Sequence, residues 1–212
     1  STRKESSAAS DVYKRQFLFP AAGILVEKIF SMDAAWAFTV AALLWVYLGI
    51  QKGQVTQDGL TGLNNRRRLD QYMWELDERS GERETCCYLL MDVNKFKKVN
   101  DTYGHVTGDE VLRLVAEQLK RTFGNMQAFL ARYGGDEFVV IVKGKTQDEM
   151  DVIIHQTQEN VNAIAWGADT PWQLSISIGC AMRGEQGKQK SHELLALADE
   201  RMYRQKKGIQ DR

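Results

Sequence analysis

A chain of 212 residues has room for one or two domains, and its 28 basic and 28 acidic residues cancel to a formal charge of zero. That balance excludes a general nucleic-acid-binding surface, which needs an excess of positive charge. The three cysteines, Cys86, Cys87 and Cys180, have no metal-ligand spacing. Neighbouring Cys86 and Cys87 do not readily bridge each other, so reduced, mostly buried thiols are expected.

The chain begins without Met and is expected to be truncated at its N-terminus. Residues 1–16 are polar and aperiodic and are expected to be unstructured, with Ser7 to Gln16 resembling an adapter-derived artefact at the end of a gene prediction. Residues 17–50 are expected to hold one or two membrane-spanning segments. Within them, residues 34–50 form an apolar run of 17 residues whose one clearly polar member is Thr39, the short end of what a membrane helix needs. Trp36 near one end, and Trp45 with Tyr47 near the other, suit the two interfacial aromatic belts. Phe17 to Val26, interrupted by Glu27 and Lys28, fits the end of an earlier span. A buried core helix is the competing reading. A signal peptide fits poorly, because no small-residue cleavage site leads into a secreted domain. Residues 51–57 read as a polar linker, and residues 58–212 as a domain long enough for its own core.

Within that domain a helix is expected over 65–79, with Leu69, Tyr72, Met73 and Leu76 on one face. A buried strand follows over 84–91, then a turn into a short helix over 94–98. A second long helix is expected over 108–123, with Val111, Leu112, Val115 and Leu119 inward. Strands over 128–133 and 138–142 flank a glycine hairpin. The next helix, over 146–165, opens on a capping box formed by Thr146 and Glu149. Residues 172–182 alternate, with Leu174, Ile176 and Ile178 on one face and Ser175 and Ser177 on the other. Ser191 can cap a last helix that carries Leu194, Ala198 and Met202. This order implies an α+β fold: a central, mostly antiparallel sheet flanked by helices.

The chemistry concentrates at Arg132-Tyr133-Gly134-Gly135-Asp136-Glu137-Phe138. Two glycines and then two carboxylates sit at a hairpin tip, where adjacent negative charges are costly without a cation. Hard oxygen ligands suit Mg²⁺ bound together with a phosphate. The plain alternative is a turn with solvated acids. Upstream, the apolar run from Cys87 to Met91 ends in Asp92, a carboxylate at a strand end. It continues as Asp92-Val93-Asn94-Lys95-Phe96-Lys97-Lys98-Val99-Asn100-Asp101, and then Gly104-His105-Val106-Thr107-Gly108-Asp109.

These stretches resemble the GGDEF family of diguanylate cyclases. So do Asp58-Gly59-Leu60-Thr61-Gly62-Leu63-Asn64-Asn65-Arg66-Arg67, Ser175-Ile176-Ser177-Ile178-Gly179 and Ala198-Asp199-Glu200-Arg201-Met202-Tyr203. The resemblance runs from Asp58 to Gly208, with the motifs in order. It implies a nucleotidyl-cyclase-like fold and the condensation of two GTP into cyclic di-GMP and two pyrophosphates. It implies Mg²⁺ or Mn²⁺ on Asp92, Asp136 and the Val93 carbonyl. Asp136 would help activate the ribose 3′-hydroxyl, with Glu137 as an alternative ligand or base. Lys97 would stabilise the transition state and Lys206 would contact the triphosphate. Asn100 and Asp109 would read guanine, whose N1–H and 2-amino group are donors. His105, Phe96, Gly134 and Gly135 would line the substrate site. Each domain would hold one GTP, so a homodimer would be required. An intracellular substrate would place the domain in the cytoplasm, tethered to a bacterial inner membrane.

Asp58 and Asn64 to Arg67 read as structural, capping or coupling the preceding helix to the domain; Arg132 reads equally as a site residue or a structural ion-pair partner, and His155 and His192 as surface or helix residues. There are departures from the family pattern. Asn94 stands where the family usually has a second Asp. The tail Lys206-Lys207-Gly208-Ile209-Gln210 is one residue short of the usual form and lacks its arginine. Asn125 and Ala128 stand where many members carry Arg-x-x-Asp for product inhibition, so no such inhibition is expected. The competing function is a non-catalytic GTP-binding signalling module, which an altered hairpin or missing metal carboxylates would have marked.

Overall fold

The computed structural model describes residues 20–25, 28, 35–54, 56–79, 85–165, 173–183 and 189–210. The chain divides into two compact units, Ser1–Val55 and Thr56–Arg212. The expectation for residues 1–16 lies outside the described residues.

In the first unit, helix α1 spans Ala35–Gln54. Trp36, Val40, Leu43, Leu44, Trp45 and Tyr47 on it are exposed. The expected membrane span is corrected here: among the described residues, no helix is long and apolar enough to cross a membrane. The reason lies in the last turn, where Gln51-Lys52-Gly53-Gln54 continues the helix with polar residues. The apolar part stops at Ile50 and rises only about 24 Å, short of a hydrocarbon core of about 30 Å. The inner-membrane location expected from that span is corrected with it, and the earlier span expected over Phe17 to Val26 lies partly outside the described residues. Residues 51–54, expected as linker, belong to the helix.

The second unit runs α2 (Arg66–Glu78), β1 (Cys86–Val93), α3 (Phe96–Tyr103), α4 (His105–Phe123), β2 (Ala128–Gly134), β3 (Glu137–Lys143), α5 (Gln147–Asn162), β4 (Ile176–Met182) and α6 (Ser191–Gln210). The four strands form one sheet in the order β2-β3-β1-β4, with every pairing antiparallel. β1 is therefore central, and all eight of its residues are buried. That is why its sequence reads as a continuous apolar run rather than an alternation.

The two-residue period of a strand divides this run between two cores. Cys87, Leu89, Met91 and Val93 face α4 and α5, packing with Val111, Leu112, Val115, Leu119, Phe123 and Met150. Cys86, Tyr88 and Leu90 face α2 and α6, packing with Leu69, Met73, Leu76, Leu194, Ala198 and Met202. Each large apolar side chain so buried contributes about 1.5–3 kcal/mol. α6 lies close on β4 because Gly179 has no side chain: a Cβ there would meet the Ala198 carbonyl oxygen at 1.9 Å and the Met202 nitrogen at 2.4 Å.

The α5 capping box forms as expected, with the Thr146 hydroxyl accepting from the Glu149 amide and the Glu149 carboxylate accepting from the Thr146 amide. Ser191 does not cap α6. Its amide donates to Asp77 of α2 at 3.0 Å, and its hydroxyl joins Asp77, Tyr88 and Arg183 in a buried polar cluster. A carboxylate from another helix thus occupies the N-terminus of α6, where the helix dipole favours negative charge.

Candidate functional site

Strand parity places the key carboxylates. Asp92 shares the α6 side of β1 with Tyr88 and Leu90, and it pairs directly with Glu137 of β3, on the same face as Val139 and Ile141. The Val93 amide donates to the Asp136 carbonyl at 3.2 Å, which ties the end of β1 to the hairpin tip. Gly134 ends β2, Gly135 and Asp136 form the turn, and a register irregularity lies between Arg132 and Gly134. Gly134 and Gly135 are exposed, and Asp136 and Glu137 half-buried.

Asp92 is 6% exposed and accepts from Lys206 Nζ of α6 at 2.6 Å. Burial pushes its carboxyl above the ordinary range, the Lys206 ammonium opposes this, and Asp136 adds repulsion. Burial also raises Glu137, as do Asp92, Asp136 and Asp199, with Lys206 again opposing. Three carboxylates thus repel one another around one lysine. Among the described residues no group of three or more His, Cys, Asp or Glu side chains is gathered as a self-sufficient metal cage.

Behind this cluster the chain turns sharply from β1 into α3. Lys95 takes a left-handed conformation at φ 58°, uncommon for a side chain other than glycine or Asn/Asp. Asn94 is 9% exposed and anchored to β4: its amide group donates to the Ser175 hydroxyl, and its carbonyl oxygen accepts from the Ser177 hydroxyl at 2.7 Å. Phe96 and Lys97 then open α3, with Lys97 exposed and Phe96 half-buried. The first amides of a helix lack intrahelical partners, so this turn presents N–H groups beside the acidic cluster.

Asn100 sits near the end of α3 and Asp109 near the start of α4. The Asn100 side chain reaches the first turn of α4 because Gly108 is bare: a Cβ at Gly108 would lie 1.9 Å from Asn100 Oδ1 and 3.3 Å from the Phe96 ring. Asp109 and His105 are exposed, with His105 the first residue of α4.

The sequence-expected residues therefore form two groups. Asp92, Asp136, Glu137 and Lys206 gather at one end of the sheet, and Phe96, Asn100 and Asp109 lie along the α3–α4 junction. Asp199 and Gln205 were missed. Asp199 acts electrostatically on Glu137, and Gln205 Oε1 accepts from the Ile178 amide at 2.6 Å. The available signal for Asp199 was its spacing, two helical turns before Lys206 and so on the same face.

The profile of the family "Diguanylate cyclase, GGDEF domain" matches residues 55–212. The chain is 27% identical over 189 residues to the diguanylate cyclase DgcP of Pseudomonas aeruginosa, covering 89% of this chain and 27% of that one. It is 38% identical over 156 residues to the probable diguanylate cyclase DgcI of Escherichia coli, covering 71% of this chain and 31% of that one. The chain thus spans about a quarter to a third of these relatives' length. Among solved structures, the GGDEF domain of DgcB from Caulobacter crescentus, in complex with c-di-GMP, aligns with a TM-score of 0.64 at 30% identity. That alignment covers 73% of this chain and 92% of that one.

Proposed function

The chain belongs to the GGDEF-domain diguanylate cyclase family, and on that premise we propose that it condenses two GTP into cyclic di-GMP and two pyrophosphates. The observation that carries this reading is the Asp92–Glu137 pair, set beside the Asp136 tip with Lys206 as its nearest cation. Mutually repelling carboxylates at a strand end and hairpin tip are a poor structural choice but a good cation site.

The donor set fits Mg²⁺ or Mn²⁺. Asp92, Asp136 and the Val93 carbonyl offer hard oxygens, and Mg²⁺ commonly takes one or two carboxylates and fills its remaining positions with phosphate oxygens and water. Such an ion would neutralise the triphosphate and acidify the attacking 3′-hydroxyl. Asp136 and Glu137 hold the place from which that hydroxyl's proton is taken. Lys206 pairs with Asp92 in the protein alone, and its flexible stem lets it turn to the triphosphate when nucleotide arrives. Lys97 and the first amides of α3 face charge developing on the phosphorus oxygens. Asn100 and Asp109 accept from the guanine edge, with Phe96 and His105 bordering the base and Gly134 and Gly135 leaving room for the nucleotide. Phosphoryl transfer is mostly positioning and charge stabilisation, so these roles suffice.

One site holds one GTP, and each 3′-oxygen must attack the other nucleotide's α-phosphorus. Two copies of residues 58–212 therefore meet as a homodimer. The test is to incubate the chain with GTP and Mg²⁺ and separate the nucleotides by chromatography with mass detection. Cyclic di-GMP above an Asp136→Asn control is expected, with a rate that rises more steeply than linearly with protein concentration. GTP bound but never converted refutes the proposal.

A further inference from the structure

Cys87 and Cys180 meet across the β1–β4 pairing, with their Sγ atoms 2.9 Å apart. They are diagonal neighbours, since Cys87 pairs with Met182 and Leu89 with Cys180. Both belong to the α4–α5 side of the sheet, whereas Cys86 packs on the opposite side. The two sulfurs need to close by less than 1 Å to reach a bond of about 2.05 Å. Among the described residues β4 lies at an edge of the sheet and pairs with β1, so that closure displaces β4 together with α6, which packs closely on it at Gly179.

We propose that Cys87 and Cys180 are a redox-modification site, forming a reversible cross-strand disulfide when a peroxide reaches Cys180. The two thiols are unequal in a way that sets the order of events. Cys180 is half-buried on the edge strand, while Cys87 is 1% exposed. The hydrogen bond from the Cys87 thiol holds Cys180 below the ordinary thiol range against burial, and the Arg201 charge adds to this. The same contact and burial push Cys87 up. A partly exposed thiol with thiolate character is the one that peroxide attacks.

The Cys180 thiolate displaces hydroxide from hydrogen peroxide and becomes a sulfenic acid. The Cys87 sulfur then displaces the sulfenic oxygen, which leaves as water with the Cys87 proton. Two thiols are oxidised, one peroxide is reduced to water, and a dithiol reverses the step.

The link would be felt at α6. The Cys180 carbonyl accepts from Arg201, and the Ile178 amide, two residues away, donates to Gln205. Drawing Cys180 toward β1 shears β4 beneath both contacts, on the helix that delivers Lys206 to Asp92.

The experiment treats the whole chain with hydrogen peroxide and maps its peptides by mass spectrometry without reduction. The Cys87 peptide should be joined to the Cys180 peptide, lighter by two hydrogens than their sum and separated by dithiothreitol. Cys86→Ser should keep the link; Cys180→Ser and Cys180→Ala should lose it. Thiols that stay reduced, or sulfinic acid on Cys180 with no link, overturn the site. Turnover of GTP should fall several-fold in the linked protein and recover with dithiothreitol, but not respond in Cys180→Ser. Complete linkage with unchanged turnover overturns the coupling to α6. That coupling alone rests on the proposed cyclase activity: a chain that makes no cyclic di-GMP refutes the proposed function and leaves the peptide map to decide the link.

Discussion

Arg132 joins two stretches 74 residues apart, and its removal is a demanding test of how the hairpin tip is held. Its Nη1 donates to both Asp58 carboxylate oxygens at 3.2 Å, and its Nε and Nη2 donate to the Gly135 carbonyl at 3.0 and 2.8 Å. The two side chains are 16% and 22% exposed, too sheltered for water to replace these bonds freely. Breaking a fully buried ion pair costs about 3–5 kcal/mol, and hydrogen bonds to charged groups are worth about 1.5–3 kcal/mol. Partial exposure lowers the figure. So does the hold that Thr61 keeps on Asp58, through amide and hydroxyl bonds of 2.9 and 2.7 Å. Arg132→Ala should therefore cost about 2 kcal/mol, or about 4–8 °C in Tm for a unit of this size.

The pH dependence has a definite sign. Burial raises the Asp58 carboxyl, but its bonds to Thr61 and Arg132 outweigh this and hold it below its usual 3.8. A depressed carboxylate stabilises the fold above its unfolded pKa, and that contribution is lost as pH falls through the lower folded value. The Tm gap between wild type and Arg132→Ala should hold from pH 5 to 7 and narrow below about pH 4. Thermal unfolding by circular dichroism, with Asp58→Asn and the double variant completing the cycle, measures both effects. A gap under about 0.5 kcal/mol at neutral pH, or one indifferent to acid, would show that the ion pair does not hold the tip.

Three further outcomes follow from the same geometry. Gly108→Ala should leave the fold intact, because the atom it displaces is the end of the Asn100 side chain. It should raise the KM for GTP about tenfold, the worth of one lost hydrogen bond; unchanged KM would detach Asn100 from guanine. Gly179→Ala meets backbone atoms of α6 that have no rotamer to adopt. It should cost about 3 kcal/mol, and a chemical denaturation midpoint matching wild type would contradict the close approach. Lys206→Met removes the cation opposing the upward shift of Asp92. The Asp92 carboxyl should then titrate at higher pH than in wild type by carbon NMR, and an unmoved midpoint would place Lys206 elsewhere in solution.

Much of the fold was legible because each signal was local. The heptad-like spacing in α2 and α4, the capping box of α5 and the apolar run ending in Asp92 all depend on residues within a few positions of one another. The acids at the hairpin tip and at the end of β1 were legible for the same reason. What pairs with them was not, since the Lys206–Asp92 contact joins residues 114 apart. Ser191 looked like a cap on local grounds, yet Asp77, also 114 residues away, takes the amide and turns the hydroxyl into a buried contact. The 34–50 segment misled in another way. Its composition satisfied the aromatic-belt pattern, but its apolar length stopped short of a hydrocarbon core.

Asn94 is matched to its two serine neighbours as an amide. Its side chain both gives a hydrogen bond, to Ser175, and takes one, from Ser177. An ionised carboxylate only takes, so Asn94→Asp would oblige the Ser175 hydroxyl to reverse its proton. It would also add a negative charge two positions from the already strained Asp92. The amide and its two serines therefore form one hydrogen-bonded trio, in which Asn94→Asp trades a neutral buried group for a second charge beside Asp92 and a reoriented hydroxyl.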